Sequence, residues 1–495
     1  MKTALTTTRT LLAAALSCAL AATSAHAQPA DTPYKFERGY PAAGTAERVH
    51  DASDMRRAIE AYKFFYPTVA TEGLYQELQA GGLKLNENSL ILLLTPKQVI
   101  PTGNSDTPYS LGFFDLTMTG PIVVEMPAGP FIGMVDDWHM RWVQDMGRPG
   151  PDKGEGGKHL ILPPGYKGEV PSGYFVGRAE TNKVLLLIRV IPIGGDIEKA
   201  FKAFDGFRVY PLSAAGKPPV YPFIDMRPQS GKQLDYPLLA WEDKHEYWQQ
   251  LKKVIDAETV IDGFKPMYGM LASLGIVKGQ PFTPDARMKK ILTEAARTAL
   301  EELRTVDYAS RIPERIYWKD RKWEWLMVRP TSAEFGDFGA PSFLDLEARD
   351  YFSFQAWGTS PAMGKKAVGA GSMYLGGYRD STGAFLDGGK TYKLTVPQPV
   401  PAGLFWSATI YDVDTRSQIA TDQNKGALGS LYEKFQANPD GSVDIYVGPT
   451  APAGKEKQWI KTIPGKGWFT YFRIYGPTAP AFDGTWKLPD IELVK

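Results

Sequence analysis

The densest group of chemically able side chains is the stretch Val135-Asp136-Asp137-Trp138-His139-Met140-Arg141-Trp142. In an extended chain alternate residues share a face. Asp137, His139 and Arg141 then project together, and Asp136, Trp138, Met140 and Trp142 project to the other side. A carboxylate two residues from an imidazole can orient it as a general base, and a neighbouring guanidinium can hold an anion. The same three groups would also serve as a structural ion pair beside the glycine- and proline-rich stretch 147–173. Both uses stay open at this level.

A second group is Thr102-Gly103-Asn104-Ser105-Asp106-Thr107-Pro108-Tyr109. Small polar side chains of this kind suit a pocket mouth, and they equally suit a tight Asx-type turn. His159 follows Gly156-Gly157-Lys158, in the long stretch, where it can approach His139 in space. Arg473, set in Tyr471-Phe472-Arg473-Ile474-Tyr475, reads as an arginine stacked at the edge of a core. The candidate catalytic residues are therefore Asp106, Asp137 and His139. The candidate ligand contacts are Asn104, Thr107, Tyr109, Trp138, Arg141 and His159. A divalent metal held by the histidines with Asp106 or Asp137 is left open, although no ligand spacing calls for one.

Familiar motifs fail at identifiable positions. Gly103-Asn104-Ser105-Asp106-Thr107 lacks the second glycine of a nucleophile elbow. His245-Glu246 starts like a zinc-protease helix but meets Gln249 where the second histidine belongs. Gly157-Lys158 runs into His159 rather than Ser or Thr, and Gly369-Ala370-Gly371 meets Tyr374 at the third glycine. Asp412-Val413-Asp414-Thr415 is followed by Arg416 in place of a calcium ligand. No nucleotide cofactor is expected.

The elements that must position these residues follow from periodicity. Met55, Ala58, Ile59, Tyr62 and Phe65 predict a helix over 52–80, split or kinked by Pro67 and ended by Gly81-Gly82. From Leu90 short apolar runs alternate with turn signals, which predicts an antiparallel sandwich, with 147–173 as a long loop. Helical spacing returns over 241–304. Thr283-Pro284-Asp285 predicts a helix start capped by Thr283, followed by an apolar face of Met288, Ile291, Leu292, Ala295, Ala299 and Leu303. Strand alternation resumes near 317 and predicts a second sandwich, with Asn438-Pro439-Asp440-Gly441 turning a hairpin.

Composition narrows the function classes. The chain has 495 residues, and 56 Lys and Arg face 55 Asp and Glu, so it lacks the basic footprint of a nucleic-acid partner. One cysteine forms neither an internal disulfide nor a thiolate metal site. Lys2 and Arg9, the Leu- and Ala-rich run 11–22 and Ala25-His26-Ala27 read as a secretory signal cleaved after residue 27. The run is too short to span a bilayer, and no span is expected in the remaining chain. Cleavage removes Cys18 with the signal, and the charge balance passes from +1 to −1 as Lys2 and Arg9 leave.

Several motifs together resemble a known two-domain family. Ile100 to Tyr109, Val135-Asp136-Asp137-Trp138, and Gly150-Pro151-Asp152 through Gly156-Gly157-Lys158 to Leu162-Pro163-Pro164-Gly165-Tyr166 resemble domain of unknown function 1254. Gly383 to Gly388, Phe405 to Asp412, Asp440-Gly441-Ser442 and Gly484-Thr485-Trp486-Lys487-Leu488-Pro489 resemble its partner, domain of unknown function 1214. The family's Asn-Trp-Leu-Pro-like element is here Gln458-Trp459-Ile460-Lys461, so no role of that asparagine or proline carries over. The resemblance implies a mainly β fold with a helical insertion. An immunoglobulin-like sandwich over 89–235 would follow a lead-in and helix over 28–88. Helices over 236–310 and a jelly-roll-like sandwich over 311–495 would complete it. It supplies no catalytic residues.

The expectation is an exported, periplasmic or secreted protein acting as a hydrolase on a small-molecule or envelope-derived substrate. The alternatives are a non-catalytic protein that binds a carbohydrate or aromatic ligand, and a structural envelope protein that forms homo-oligomers. Thiol titration of the exported protein should read zero, and its first residue should be Gln28. Retention of Cys18 in the exported chain would contradict the signal reading.

Overall fold

The computed structural model describes residues 34–229, 241–326, 342–364, 368–369 and 371–494. The signal segment 1–27, the start of the lead-in and residues 236–240 of the expected insertion lie outside them. The described residues from Tyr34 to Met55 belong to a unit of their own, with a short hairpin of Phe36–Glu37 against Tyr40–Pro41 and the opening turns of the helix Thr45–Ala80. Everything from Arg56 onward forms the second unit.

The second unit contains helices and four layered sheets. The first sheet has six strands in the order Phe223–Asp225, Ser89–Leu92, Tyr109–Asp115, Lys183–Val190, Phe131–Asp137 and Trp142–Gly147. The second has four, in the order Arg208–Pro211, Ile122–Met126, Gly157–Leu162 and Phe175–Arg178. Phe114, Val135, Val184, Leu186 and Ile188 of the first sheet share an apolar core with Ile122, Val124, Ile161 and Val209 of the second. Because side chains alternate across a strand, the other face of the six-stranded sheet presents Leu92, Tyr109, Leu111, Met134, Leu187 and Arg189.

The C-terminal half repeats the plan. A five-stranded sheet runs Glu324–Trp325, Ser372–Gly377, Trp468–Pro477, Ala402–Asp412 and Ala427–Gly429. A four-stranded sheet runs Trp459–Lys461, Val443–Gly448, Tyr392–Val396 and Glu492–Leu493. Met373, Trp406, Ile410, Phe472 and Ile474 of the one pack with Leu394, Val396, Ile445 and Val447 of the other. The strand Trp468–Pro477 is buried along its whole length, so its second face must also be covered.

The structure departs from the sequence reading in four places. The helix Thr45–Ala80 is one element that runs through Pro67. A proline inside a helix costs about 3 kcal/mol or more. The residues around it, Phe64, Phe65, Tyr66, Thr68, Val69 and Ala70, are all buried, and that packing holds the helix together. The stretch 147–173 is not all loop, because Gly157–Leu162 pairs with Ile122–Met126. Its Leu160-Ile161-Leu162 run is buried on both faces, which the glycine content of the flanks conceals. The later helix begins at Ala286, and Asp285, not Thr283, caps it by accepting from the Met288 amide at 2.7 Å. The Asn438–Gly441 turn forms, but only Ala437 pairs across from Val443, in an isolated bridge rather than a full hairpin.

Arg416 ties distant elements together from inside. It is fully buried and has a backbone φ of 58°. Its Nη2 donates to Glu242 Oε1 at 2.6 Å and to the Tyr66 hydroxyl at 3.3 Å, and its guanidinium lies 4.2 Å from the Phe354 ring centre. One side chain thereby joins the long helix, the segment after residue 240, the helix Leu346–Gln355 and the C-terminal half. Removing the carboxylate strands a buried cation, which costs about 3–5 kcal/mol. Glu242→Ala should lower the free energy of urea unfolding by about that amount, and an unchanged urea midpoint would show the pair to be dispensable.

Candidate functional site

The second faces of the six-stranded and five-stranded sheets both border one cavity, of about 140 Å³. Most of its wall is apolar. Leu92, Leu94, Leu111, Met134 and Leu187 come from the N-terminal half, Leu74 from the long helix, and Phe352, Trp357 and Met363 from the segment 346–364. The polar lining includes Asn104, Tyr109, Arg189, Gln355, Tyr374 and Arg473.

Strand register places these polar groups. Across the N-terminal sheet Tyr109 stands opposite Leu92 on one side and Arg189 on the other, and Arg189 stands opposite Ile132. Across the C-terminal sheet Tyr374 stands opposite Arg473, which stands opposite Ser407. Each row therefore carries one arginine beside one tyrosine.

The arginines are buried and held by oxygen atoms. Arg473 donates from Nη1 to Thr409 Oγ1 at 2.8 Å, and from Nη2 to the Thr102 carbonyl at 2.8 Å and the Tyr411 hydroxyl at 2.6 Å. Its Nε is buried and has no hydrogen-bond partner among the described residues. Arg189 donates from Nε to Thr107 Oγ1 at 3.2 Å and from Nη2 to the Tyr475 hydroxyl at 3.3 Å. Asp106 joins the network through Oδ2, which accepts from Ser407 at 2.7 Å and Tyr475 at 3.3 Å.

The loop between Leu92 and Tyr109 delivers these contacts. Asn104 Oδ1 accepts from the amides of Asp106 and Thr107 at 2.9 and 3.2 Å, an Asx-type turn. Asn104 Nδ2 donates to the Tyr109 hydroxyl at 2.6 Å. The Gly103 backbone passes so near Leu94 that a Cβ there would lie 2.4 Å from its Cδ1. The loop is at once a turn and a clamp, since the carbonyls of Thr102 and Gly103 both accept from the Tyr411 hydroxyl.

Ionisation differs sharply among the tyrosines. Burial pushes the Tyr109 and Tyr475 phenols up, Tyr475 the more strongly because Asp106 lies beside it. Burial acts on Tyr374 in the same sense. There the positive charges of Arg189 and Arg473, with the hydrogen bond from Ser372, outweigh it and bring the phenol below the ordinary tyrosine range.

The nine sequence candidates divide among three places. Asn104, Asp106, Thr107 and Tyr109 meet at the seam just described. Asp137, Trp138, His139 and Arg141 lie at the end of the strand Phe131–Asp137, against the long helix and Phe264. His159 lies in the second sheet, fully buried, with Nε2 3.4 Å from Asp152 Oδ1 and its ring against Phe175. Among the described residues no hydrogen bond joins the side chains of Asp106, Asp137 and His139 to one another. Asp137 Oδ1 accepts from the amides of His139 and Arg141 at 2.8 and 3.0 Å, and Oδ2 accepts from Arg141 Nε at 2.9 Å. Arg141 is also paired with Glu180. Trp138 is wholly buried, edge-on to Tyr75 and Phe113, and donates to Glu72 Oε2 at 3.2 Å. Among the described residues no three His, Cys, Asp or Glu side chains gather as a metal-binding group.

Sequence reasoning passed over Arg189, Tyr374 and Gln355, and read Arg473 as an edge residue. The available signal was a single arginine within the apolar runs Lys183–Val190 and Trp468–Pro477, since a charge there must find buried partners.

Comparison with known proteins matches residues 87–211 to the family described as "Protein of unknown function (DUF1254)" and residues 371–479 to "Protein of unknown function (DUF1214)", in that order. None of the curated proteins matches the chain. The crystal structure of the VPA0106 protein from Vibrio parahaemolyticus is similar in fold. It has 20% sequence identity and a TM-score of 0.55, over 89% of this chain and all (100%) of that one. An uncharacterised protein from Burkholderia cenocepacia aligns over 91% of this chain and 97% of its own, with 11% identity and a TM-score of 0.40. Among the described residues no helix is long and apolar enough to cross a membrane.

The His139 environment has a consequence for stability. Its Nδ1 lies 2.7 Å from Thr68 Oγ1, its Nε2 has no partner among the described residues, and Phe65 and Phe264 pack on the ring. Burial, with Arg141 and Arg349 nearby, holds its proton affinity well below that of a free histidine. The unfolded chain then binds a proton that the folded one refuses. This group's contribution is full above about pH 6.5 and falls as pH drops below it, by up to about 1.4 kcal/mol per pH unit. Urea midpoints measured on both sides of that value should show the loss in the wild type and a shallower one in His139→Gln. Equal slopes would remove His139 as the cause.

Proposed function

We propose that the protein binds a small organic anion with an apolar body in the cavity between the two sheets. The observation that carries this reading is the buried Arg473, which lines a mostly apolar cavity and has an Nε free of partners among the described residues. Arg189, Tyr109 and Asn104 supply further polar contacts at the same wall. An apolar cavity of about 150 Å³ accommodates a single benzene ring, which sets the scale of the occupant's body here. The Nε–H of Arg473 can donate one charge-assisted hydrogen bond to a carboxylate oxygen.

The different side-chain partners of Asp106, Asp137 and His139, which are Ser407, Arg141 and Thr68, favour binding over the hydrolytic reading. Trp138 is fully buried, so the aromatic wall of this site is built from Tyr109, Phe352 and Trp357 instead. The paired, commonly cored sheets support an immunoglobulin-like N-terminal and a jelly-roll-like C-terminal sandwich, and the basic start and alanine-rich run of 1–27 support export.

Benzoate should bind in isothermal titration calorimetry and raise the unfolding temperature, whereas neutral benzamide should do neither comparably. Arg473→Met should weaken benzoate about ten- to a hundredfold, the loss of a charge-assisted contact of about 1.5–3 kcal/mol. Benzoate binding unaffected by Arg473→Met and Arg189→Met would defeat the proposal.

A further inference from the structure

The polar end of the cavity has a charge imbalance. Arg189 and Arg473 bring two positive charges, and Asp106 is the carboxylate joined to their hydrogen-bond network. Asp145 also lines the cavity, but on the strand Trp142–Gly147, two strands across the sheet from Arg189. Buried charges need close partners, because each unpaired one costs several kcal/mol.

The tyrosines around these arginines differ in what they do with their protons. Tyr475 donates to Asp106, and Tyr411 donates to backbone carbonyls of the 102–103 turn. Tyr374, which lines the cavity, is seen only as an acceptor: its hydroxyl oxygen accepts from Ser372 Oγ at 2.9 Å, and the Arg473 guanidinium lies 5.5 Å from its ring centre. The groups whose charges or hydrogen bonds act on it are Ser372 on its own strand, Arg473 and Tyr475 on Trp468–Pro477, Arg189 on Lys183–Val190 and Tyr109 on Tyr109–Asp115. An oxygen that receives a donor and feels two cations is stabilised as an anion.

We propose that Tyr374 is the proton-exchanging group of this cavity. In the ligand-free protein its phenol ionises as pH rises and the phenolate then balances the two guanidiniums; above the pH of that step it takes up one proton when an organic carboxylate comes to lie beside them. The inference rests on reading the cavity as an anion site. The only bond made is the phenol O–H, and its proton comes from solvent. The carboxylate arrives ionised and remains so, and the charge at the site is unchanged. The lowered proton affinity of Tyr374, against the raised values of Tyr109 and Tyr475, agrees with this assignment.

The test uses benzoate with the full-length protein, Tyr374→Phe and Ser372→Ala. Spectrophotometric titration of the ligand-free protein should show one tyrosinate ionising below about pH 10, the range of ordinary tyrosines. That step should vanish in Tyr374→Phe and move to higher pH in Ser372→Ala, which removes one donor. Benzoate should suppress it in the wild type. Above the pH of the step the benzoate Kd should rise about tenfold per pH unit in the wild type and stay flat in Tyr374→Phe. A step that persists in Tyr374→Phe overturns the proposal, and so does an identical pH slope in the two proteins, while benzoate binding itself still stands. Failure of benzoate to bind removes the anion site and this inference with it. Ser372→Ala keeps the question decidable should Tyr374→Phe unfold.

Discussion

Two guanidinium groups buried between facing sheets set the terms for the rest of this molecule. A buried arginine keeps its charge, so the surroundings must supply oxygen atoms at its N–H groups. Here they come from the Thr102 carbonyl, the Thr107 and Thr409 hydroxyls, and the Tyr411 and Tyr475 phenols. That requirement explains why the loop before Tyr109 is turned by Asn104 and why its carbonyls point at the C-terminal sheet. It also explains why so many tyrosines border a single cavity. An apolar seam would hold the sheets together without any of these features, so the polar one is informative about what the seam is for.

The same logic recurs at two other places, with a different outcome. Arg416 meets Glu242, and Arg315 meets Glu324 at 2.8 Å, each inside the protein and each with a carboxylate in direct contact. Those pairs are closed, and the first joins segments 174 residues apart in the chain. The seam arginines are satisfied mainly by neutral oxygens, with Asp106 reached through Ser407 and Tyr475. Neutral oxygens hold a cation in place without cancelling its charge.

What the sequence disclosed and what it withheld follow from the range of the interactions. The helix Ala286–Tyr308 buries Ile291, Leu292, Ala295, Ala299 and Leu303, the face its spacing predicts. Strand alternation likewise located the sheets. The site is another matter, because Asp106 meets Ser407 across 301 residues of chain and Thr102 meets Arg473 across 371. No local pattern encodes that meeting. The reading of Asp137, His139 and Arg141 as one strand face met a local obstacle. Met140 has a φ of 58°, so the strand turns there, and the Asp137 carboxylate folds back on the amides of the turn. Alternation assumes an extended chain, and a carboxylate placed just before a turn is as able to cap it as to serve chemistry.

The cavity wall is divided between the two halves of the chain, and this bears on inheritance. The segment 87–211 carries Arg189 and Tyr109, and the segment 371–479 carries Tyr374 and Arg473. Either segment copied alone into another gene would bring one side of the chamber, without Leu74, Phe352 and Trp357, and a charged strand face exposed to water. The two can drift apart in sequence only as far as their shared seam still closes. They are best regarded as one heritable part, with the helices between them as the length of chain that lets the halves meet.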